Sequence, residues 1–166
     1  MPEQYQSDVE AILSKRYDLG ADHWTTPDRR LGKGGAFSTL QSTLLLLELG
    51  MEPSDPLLKS TAELIFSAWR EDGRFRLSPP GAIYPCHTIN AAHVLCCLGY
   101  AADRRLHKTF EHLLEIQHRD GGWRCNKFSF GRGPETECSN PGPTLTALNA
   151  FRFTTFLNRE QALDRA

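Results

Sequence analysis

The sequence predicts an all-α protein: an array of about three helix pairs arranged in an inner and an outer layer. Three observations carry that reading. Apolar residues recur at helical spacing, as in Leu106, Phe110, Leu113 and Leu114, which stand at i, i+4, i+7 and i+8 and make one stripe on a helix. A glycine-then-aromatic frame occurs three times: Leu31-x-x-x-Gly35-x-Phe37, Trp69-x-x-x-Gly73-x-Phe75 and Gln117-x-x-x-Gly121-x-Trp123. Segments with a one-sided apolar stripe alternate with segments that are apolar almost all round. A unit that recurs after about 40 to 50 residues indicates stacked supersecondary units, and helical periodicity makes them helix pairs. Two kinds of helix in alternation imply two layers.

Residues 7–19 read as the first helix. Ser7 and Glu10 have capping-box spacing, Val9, Ile12, Leu13, Arg16 and Tyr17 make its buried stripe, and Gly20 stops it. Residues 21–33 form a loop with Trp24 and Pro27 that leads to Gly35 and Phe37. Residues 38–49 are the most apolar helix; Leu40, Leu44 to Leu47 and Leu49 leave almost no polar face, so burial nearly all round is expected. Ser54 or Asp55 caps the next helix, with Pro56 at its first position. That helix runs to about Trp69 with a stripe of Leu57, Leu58, Thr61, Leu64, Ile65 and Ala68, while Lys59, Ser60 and Glu63 stay outside. Residues 88–98 are again mostly apolar, 103–117 one-sided, and 144–156 mostly apolar; a last, polar helix begins at Asn158.

Each glycine-aromatic unit is a helix stop with a large plug just beyond it. Glycine enters left-handed backbone at little cost, and the aromatic can fold back over the helix end. The two longer loops, 74–86 and 124–143, both lead from an outer helix to the next inner one. They therefore cluster at one end of the array, where function usually sits.

Composition narrows the rest. The 166 residues fit a single domain over residues 1–166 with a real core. A net charge of −1 argues against a nucleic-acid partner. No apolar run approaches the roughly 20 residues of a transmembrane segment, and the start Met1-Pro2-Glu3-Gln4 lacks the basic and apolar regions of a signal peptide. Five cysteines, two of them adjacent at Cys96 and Cys97, fit a reduced, cytoplasmic setting.

The loop cysteines are candidate metal ligands. Cys86, Cys125 and Cys138 fall in loops at the same end, and with His87 they make a set of three cysteines and one histidine that suits tetrahedral zinc. Zinc would also pin down loop 124–143. The alternative is three reduced thiols with no metal role. On the inner helix, His87, Asn90 and Cys97 share a face, with His93 turned away. His107, His112 and His118 belong to an outer helix and are expected to be solvated. Tyr84, Phe128, Phe130, Phe151 and Phe153 are candidate cavity aromatics, or else ordinary packing groups.

The Gln117-x-x-x-Gly121-x-Trp123 element resembles the QW repeat of squalene and other terpene cyclases. The inner and outer alternation resembles the (α/α) toroid those enzymes share with protein prenyltransferase β subunits. The resemblance covers roughly residues 30–156. It implies a partial (α/α) toroid of about three inner and outer helix pairs, around a hollow that holds an apolar, isoprenoid-like ligand. Tyr84, Asn90, Phe128 and Phe130 are the residues expected to line it; the aromatic rings among them would stabilise positive charge in a cyclase-like site.

Neither catalytic signature of these families is present. No Asp-x-Asp-Asp element occurs. Two residues before Cys86 and Cys138, where prenyltransferases place an aspartate, stand Tyr84 and Thr136. The expectation is therefore a binding domain without complete catalytic machinery, its catalytic residues unassigned. The alternative is a zinc-dependent prenyltransferase or terpene cyclase completed by a second half-ring. Three helix pairs make at most half a ring, whose apolar flanks on residues 39–49 and 151–157 would be covered by a second copy in a homodimer or by a partner half-ring.

Overall fold

The computed structural model describes residues 3–125, 137–155, 157 and 163–165. Among them are six α-helices: α1 Gln6–Ser14, α2 Thr39–Glu48, α3 Pro56–Phe66, α4 Pro85–Cys97, α5 Arg104–Glu115 and α6 Pro141–Phe151. No strand forms among the described residues; two isolated bridges, Ala21 with Thr25 and Trp69 with Phe75, are the only extended pairing there. The expected all-α class is observed.

Helix α3 starts at the expected cap, and α5 and α2 also begin at side-chain caps. The Asp55 carboxylate accepts from Leu57 N at 2.8 Å, ahead of Pro56, and Asp103 accepts from Arg105 N at 2.8 Å. Ser38 caps α2 through Gln41 N. The ends of α2 and α4 close alike: Met51 N donates to Leu46 O at 2.9 Å and Tyr100 N to Leu95 O at 3.0 Å. Prolines at the first turns of α4 and α6 extend both helices three residues beyond the expected start at Thr88 and Thr144.

Helices α2, α4 and α6 are successive neighbours, and α4 packs most extensively on α6 and then on α2. Helix α1 packs on α2, α3 on both α2 and α4, and α5 on α4. One buried cluster runs through all of them, with Trp24, Phe75, Phe110, Trp123 and Phe151 as its largest members.

The plug is the repeated device. Trp123 is fully buried and its indole N–H donates to Leu113 O at 2.8 Å, over the end of α5. Its amide donates to Thr144 Oγ1 at 3.0 Å. Phe75 is equally buried, and its amide donates to Thr88 Oγ1 at 3.1 Å. An inner-helix threonine thus holds the backbone of each plug. Gly73, in the second copy, has φ +81°, and an added Cβ would stand 2.7 Å from Lys108 O. Both the turn and the close approach to α5 exclude a side chain there.

The first copy departs from the expected frame. Phe37 sits in a short 3-10 turn, Gly35–Phe37, and is 41% exposed. The buried aromatic is Trp24, 0% exposed, whose indole donates to Ile12 O at 2.9 Å just as Trp123 does to Leu113. Thr39 completes the match by donating to His23 O at 2.7 Å and Trp24 O at 3.3 Å. His23 and Trp24 both adopt left-handed backbone, at φ 60° and 52°. Non-glycine residues keep that conformation only where their surroundings hold it. Here the Trp24 amide and indole are both bonded back to α1 and the turn after it.

Three further expectations change. The Ser7 and Glu10 capping box does not form; α1 begins at Gln6, whose side chain donates to Glu10 Oε1 at 2.7 Å. Tyr17 is exposed rather than part of a buried stripe, because α1 ends at Ser14 and Arg16 turns to Asp22. Helix α2 is not buried all round: Leu44, Leu45, Leu47 and Leu49 are half-buried. Residues 158–162, the start of the expected last helix, lie outside the described residues.

Replacing the plug in the first copy separates the two frames. Trp24→Ala should cost about 3–5 kcal/mol of unfolding free energy, whereas Phe37→Ala should stay within about 0.5 kcal/mol of the parent. Urea unfolding followed by circular dichroism measures both.

Candidate functional site

The two long loops do meet. Pro85 starts α4, which places Cys86 and His87 in its first turn rather than in a loop. The chain leaving Trp123 brings Cys125 alongside, with its Sγ 2.7 Å from Cys86 Sγ. All five cysteines are thiols. Cys86 is half-buried, and Cys125 is buried at 5% exposure. His87 packs edge-on against Tyr84, ring centroids 5.1 Å apart, and its amide donates to Tyr84 O.

Cys138 is exposed. The short segment that carries it is tied back onto the chain around Trp123. Ser139 N donates to Asp120 Oδ2 at 2.7 Å, Asn140 N to Trp123 O at 2.9 Å, and Cys125 N to Asn140 Oδ1 at 2.7 Å. Asp120 also faces Gly122 N and His118 Nδ1, the latter at 2.9 Å. These donors, the Ser139 amide first, hold the Asp120 carboxyl down at about 2. Gly122 lets the segment lie so close, since an added Cβ would collide with Ser139 and Thr144 hydroxyls. Among the described residues no group of three or more His, Cys, Asp or Glu side chains stands together as a metal site. Of the four expected zinc ligands, Cys86 and Cys125 are side by side, His87 follows Cys86 in α4, and Cys138 is exposed.

Beside this pair opens a cleft of about 350 Å³. Ile83, Tyr84, Pro85 and Thr88 form the side at the start of α4; His112, Ile116 and His118 form the side at the end of α5; Arg74 and Arg124 stand at its margins. Arg74 is held by Asp72 at 2.7 Å, which draws the Asp72 carboxyl down to about 2. Burial and then Arg74 push the His112 imidazole below its ordinary value. His107, His112 and His118, expected to be solvated, are all half-buried, and the last two line this cleft. Tyr84 also borders a second cleft of about 360 Å³, with Arg30, Lys33 and His87.

A second surface lies along the inner helices. On α4, Asn90, His93 and Cys97 are half-buried while every other residue from Thr88 to Cys96 is buried. Their spacing makes one stripe, so His93 shares a face with Asn90 and Cys97 instead of turning away. Burial and Arg152 lower the His93 imidazole, and burial raises the Cys97 thiol. Glu48 at the end of α2 and Arg152 just after α6 act on both groups. Leu145, one residue after Thr144 on α6, is 63% exposed, whereas Leu40 and Ile89, one residue after Thr39 and Thr88, are buried.

Phe128 and Phe130 lie outside the described residues. Phe151 is a core group, stacked on Trp123 at 5.7 Å and tilted against Phe110 at 4.8 Å. Phe153 is half-buried under the Arg152 guanidinium. The roles of Asp120 and Asn140 were not anticipated. Aspartate before a Gly-Gly turn was the available signal, because it bonds the backbone two residues on. Comparison of the chain with family models, with curated proteins and with solved structures returned no match in any of the three.

Asp120 gives a pH dependence with a defined sign. Its folded value is depressed, so its fastening of residues 137–140 is complete above the ordinary carboxylate range and is lost as pH falls from about 4 towards 2. Protection of the Ser139 amide from hydrogen exchange should fall over that window, and Asp120→Asn should lower it already at pH 6.

Proposed function

We propose that the chain is a binding module, half of an (α/α) toroid of the terpene-cyclase and prenyltransferase type. The common side of α2, α4 and α6 takes an apolar, isoprenoid-like ligand or a partner half-ring. The open face of the inner helices is the observation that carries this reading. On α2, Leu44, Leu45 and Leu47 stay half-buried, and α6 exposes Leu145. Apolar side chains left on one side of an inner layer call for a cover. A second copy of the chain supplies the missing half-ring most simply, with Glu48 and Arg152 as opposite charges on the same face.

The residue chemistry favours binding over turnover. The face mixes leucines with Asn90, His93, Cys97 and Asn149, and it offers no pair of carboxylates to protonate an alkene. Zinc at the loop end would have to draw Cys138 and His87 onto the Cys86 and Cys125 pair, because no four-ligand group stands together among the described residues. Four protein ligands leave no open position, so the metal there braces the loops. Near-stoichiometric zinc in purified protein, lost in Cys125→Ala and Cys138→Ala, is the expected analysis.

Two measurements test the module. Farnesol or geranylgeraniol at about a hundred times its dissociation constant should raise Tm by about 5 °C or more, with no pyrophosphate released from the corresponding diphosphates. Light scattering after size exclusion should return about twice the 18.7 kDa chain mass, and Leu145→Asp should reduce it to the monomer. Pyrophosphate release would make the protein an enzyme instead, and a monomer that binds no isoprenoid would end the proposal.

A further inference from the structure

The Cys86 and Cys125 thiols are in contact, and each directly follows a residue that lines the cleft. Residues 83–85, just before Cys86, form one side of it; Arg124, just before Cys125, forms its margin. The two sulfurs come from segments 39 residues apart. A covalent link between them would fix the start of α4 to the strap held by Asp120 and Asn140.

The other cysteines are arranged differently. Cys96 is buried on α4, which pushes its thiol up to about 12. Cys97 is half-buried on the inner face, and Cys138 is exposed on the strap. Thiol exchange needs a sulfur that solvent can reach and a second one within bonding reach of it. Cys86 meets the first condition and Cys125, shielded at 5% exposure, meets the second.

We propose that Cys86 and Cys125 form a reversible thiol–disulfide switch that locks the cleft beside α4. The oxidant is a small-molecule disulfide of the glutathione type. The Cys86 thiolate attacks one sulfur of that disulfide, which forms a mixed disulfide and releases the first small thiol. Cys125 loses its proton to solvent and attacks the Cys86 sulfur, which releases the second. Two electrons pass from the protein to the small disulfide, and the protein loses two hydrogen atoms. Because the same two sulfurs would hold zinc, oxidation and metal binding exclude each other. The switch does not depend on what the inner face binds.

The test uses the full chain after removal of metal by a chelator. Oxidised glutathione should convert two of the five thiols into a Cys86–Cys125 cross-link found by peptide mapping. The mass should drop by two hydrogen atoms, with no glutathione retained, and dithiothreitol should restore all five thiols. The imidazole signals of His112 and His118 should shift on oxidation and return on reduction, since both line the cleft. Cys125→Ser should retain one glutathione on Cys86, and Cys138→Ser should oxidise as the parent does. A cross-link between Cys125 and Cys138, or glutathione held on Cys86 in the parent protein, would overturn the proposal. Unmoved histidine signals in the cross-linked protein would overturn its link to the cleft.

Discussion

A threonine at the start of each inner helix holds the backbone of a buried plug, and the rest of the structure is built on that bond. Thr88 takes the amide of Phe75 and Thr144 that of Trp123, while Thr39 donates to the carbonyls of His23 and Trp24. A plug of this size buries a large apolar area, but burial alone has no direction. The hydroxyl supplies the direction. It sets where the chain leaving an outer helix must pass, and so where the next inner helix begins. A buried amide left without its acceptor would cost about 1–3 kcal/mol, which makes the position unforgiving.

Successive units are tied by a second threonine, on the outer helices. Thr61 of α3 lies 2.8 Å from His23 Nδ1 of the unit before it, and Thr109 of α5 accepts from the Trp69 indole at 3.2 Å. Each threonine hydroxyl also bonds its own helix one turn back, so its orientation is set before the neighbour arrives. One side chain on α3 and one on α5 thus tie each unit to the one before it. Gln117 occupies the same place in the last unit, and there it turns to the Gly121 carbonyl in its own loop.

The loop end owes its chemistry to these constraints. Because Thr144 and Asn140 both hold the chain at Trp123, residues 137–140 lie against residues 123–125. Cys125 is thereby delivered to the first turn of α4, and the cleft beside it is bounded by elements that the plugs already position. On the opposite side the inner helices keep a mixed face open, with Glu48, His93 and Arg152 close enough to affect one another. The loop end thus offers sulfur chemistry, and the inner face offers area.

Local pattern was enough for the helices and for much of the loop end. Period, caps and glycine stops act within a few residues, so the positions of α3 and α5, the cap Asp55, and the plugs Phe75 and Trp123 were legible along the chain. The convergence of Cys86 with Cys125 was also foreseeable, since loops joining the same two layers share an end. Three matters depended on distant partners and were decided only by the tertiary structure. Trp24 replaced Phe37 as the first plug because Ile12 and Thr39 offered it bonds that no local rule reveals. The open side of α2 follows from which helices stand beside it, and residues 38–49 alone are apolar all round. His112 and His118 became cleft residues because Tyr84 and Arg74 stand across from them. Short-range rules specify an element's type, but exposure is a property of its neighbours.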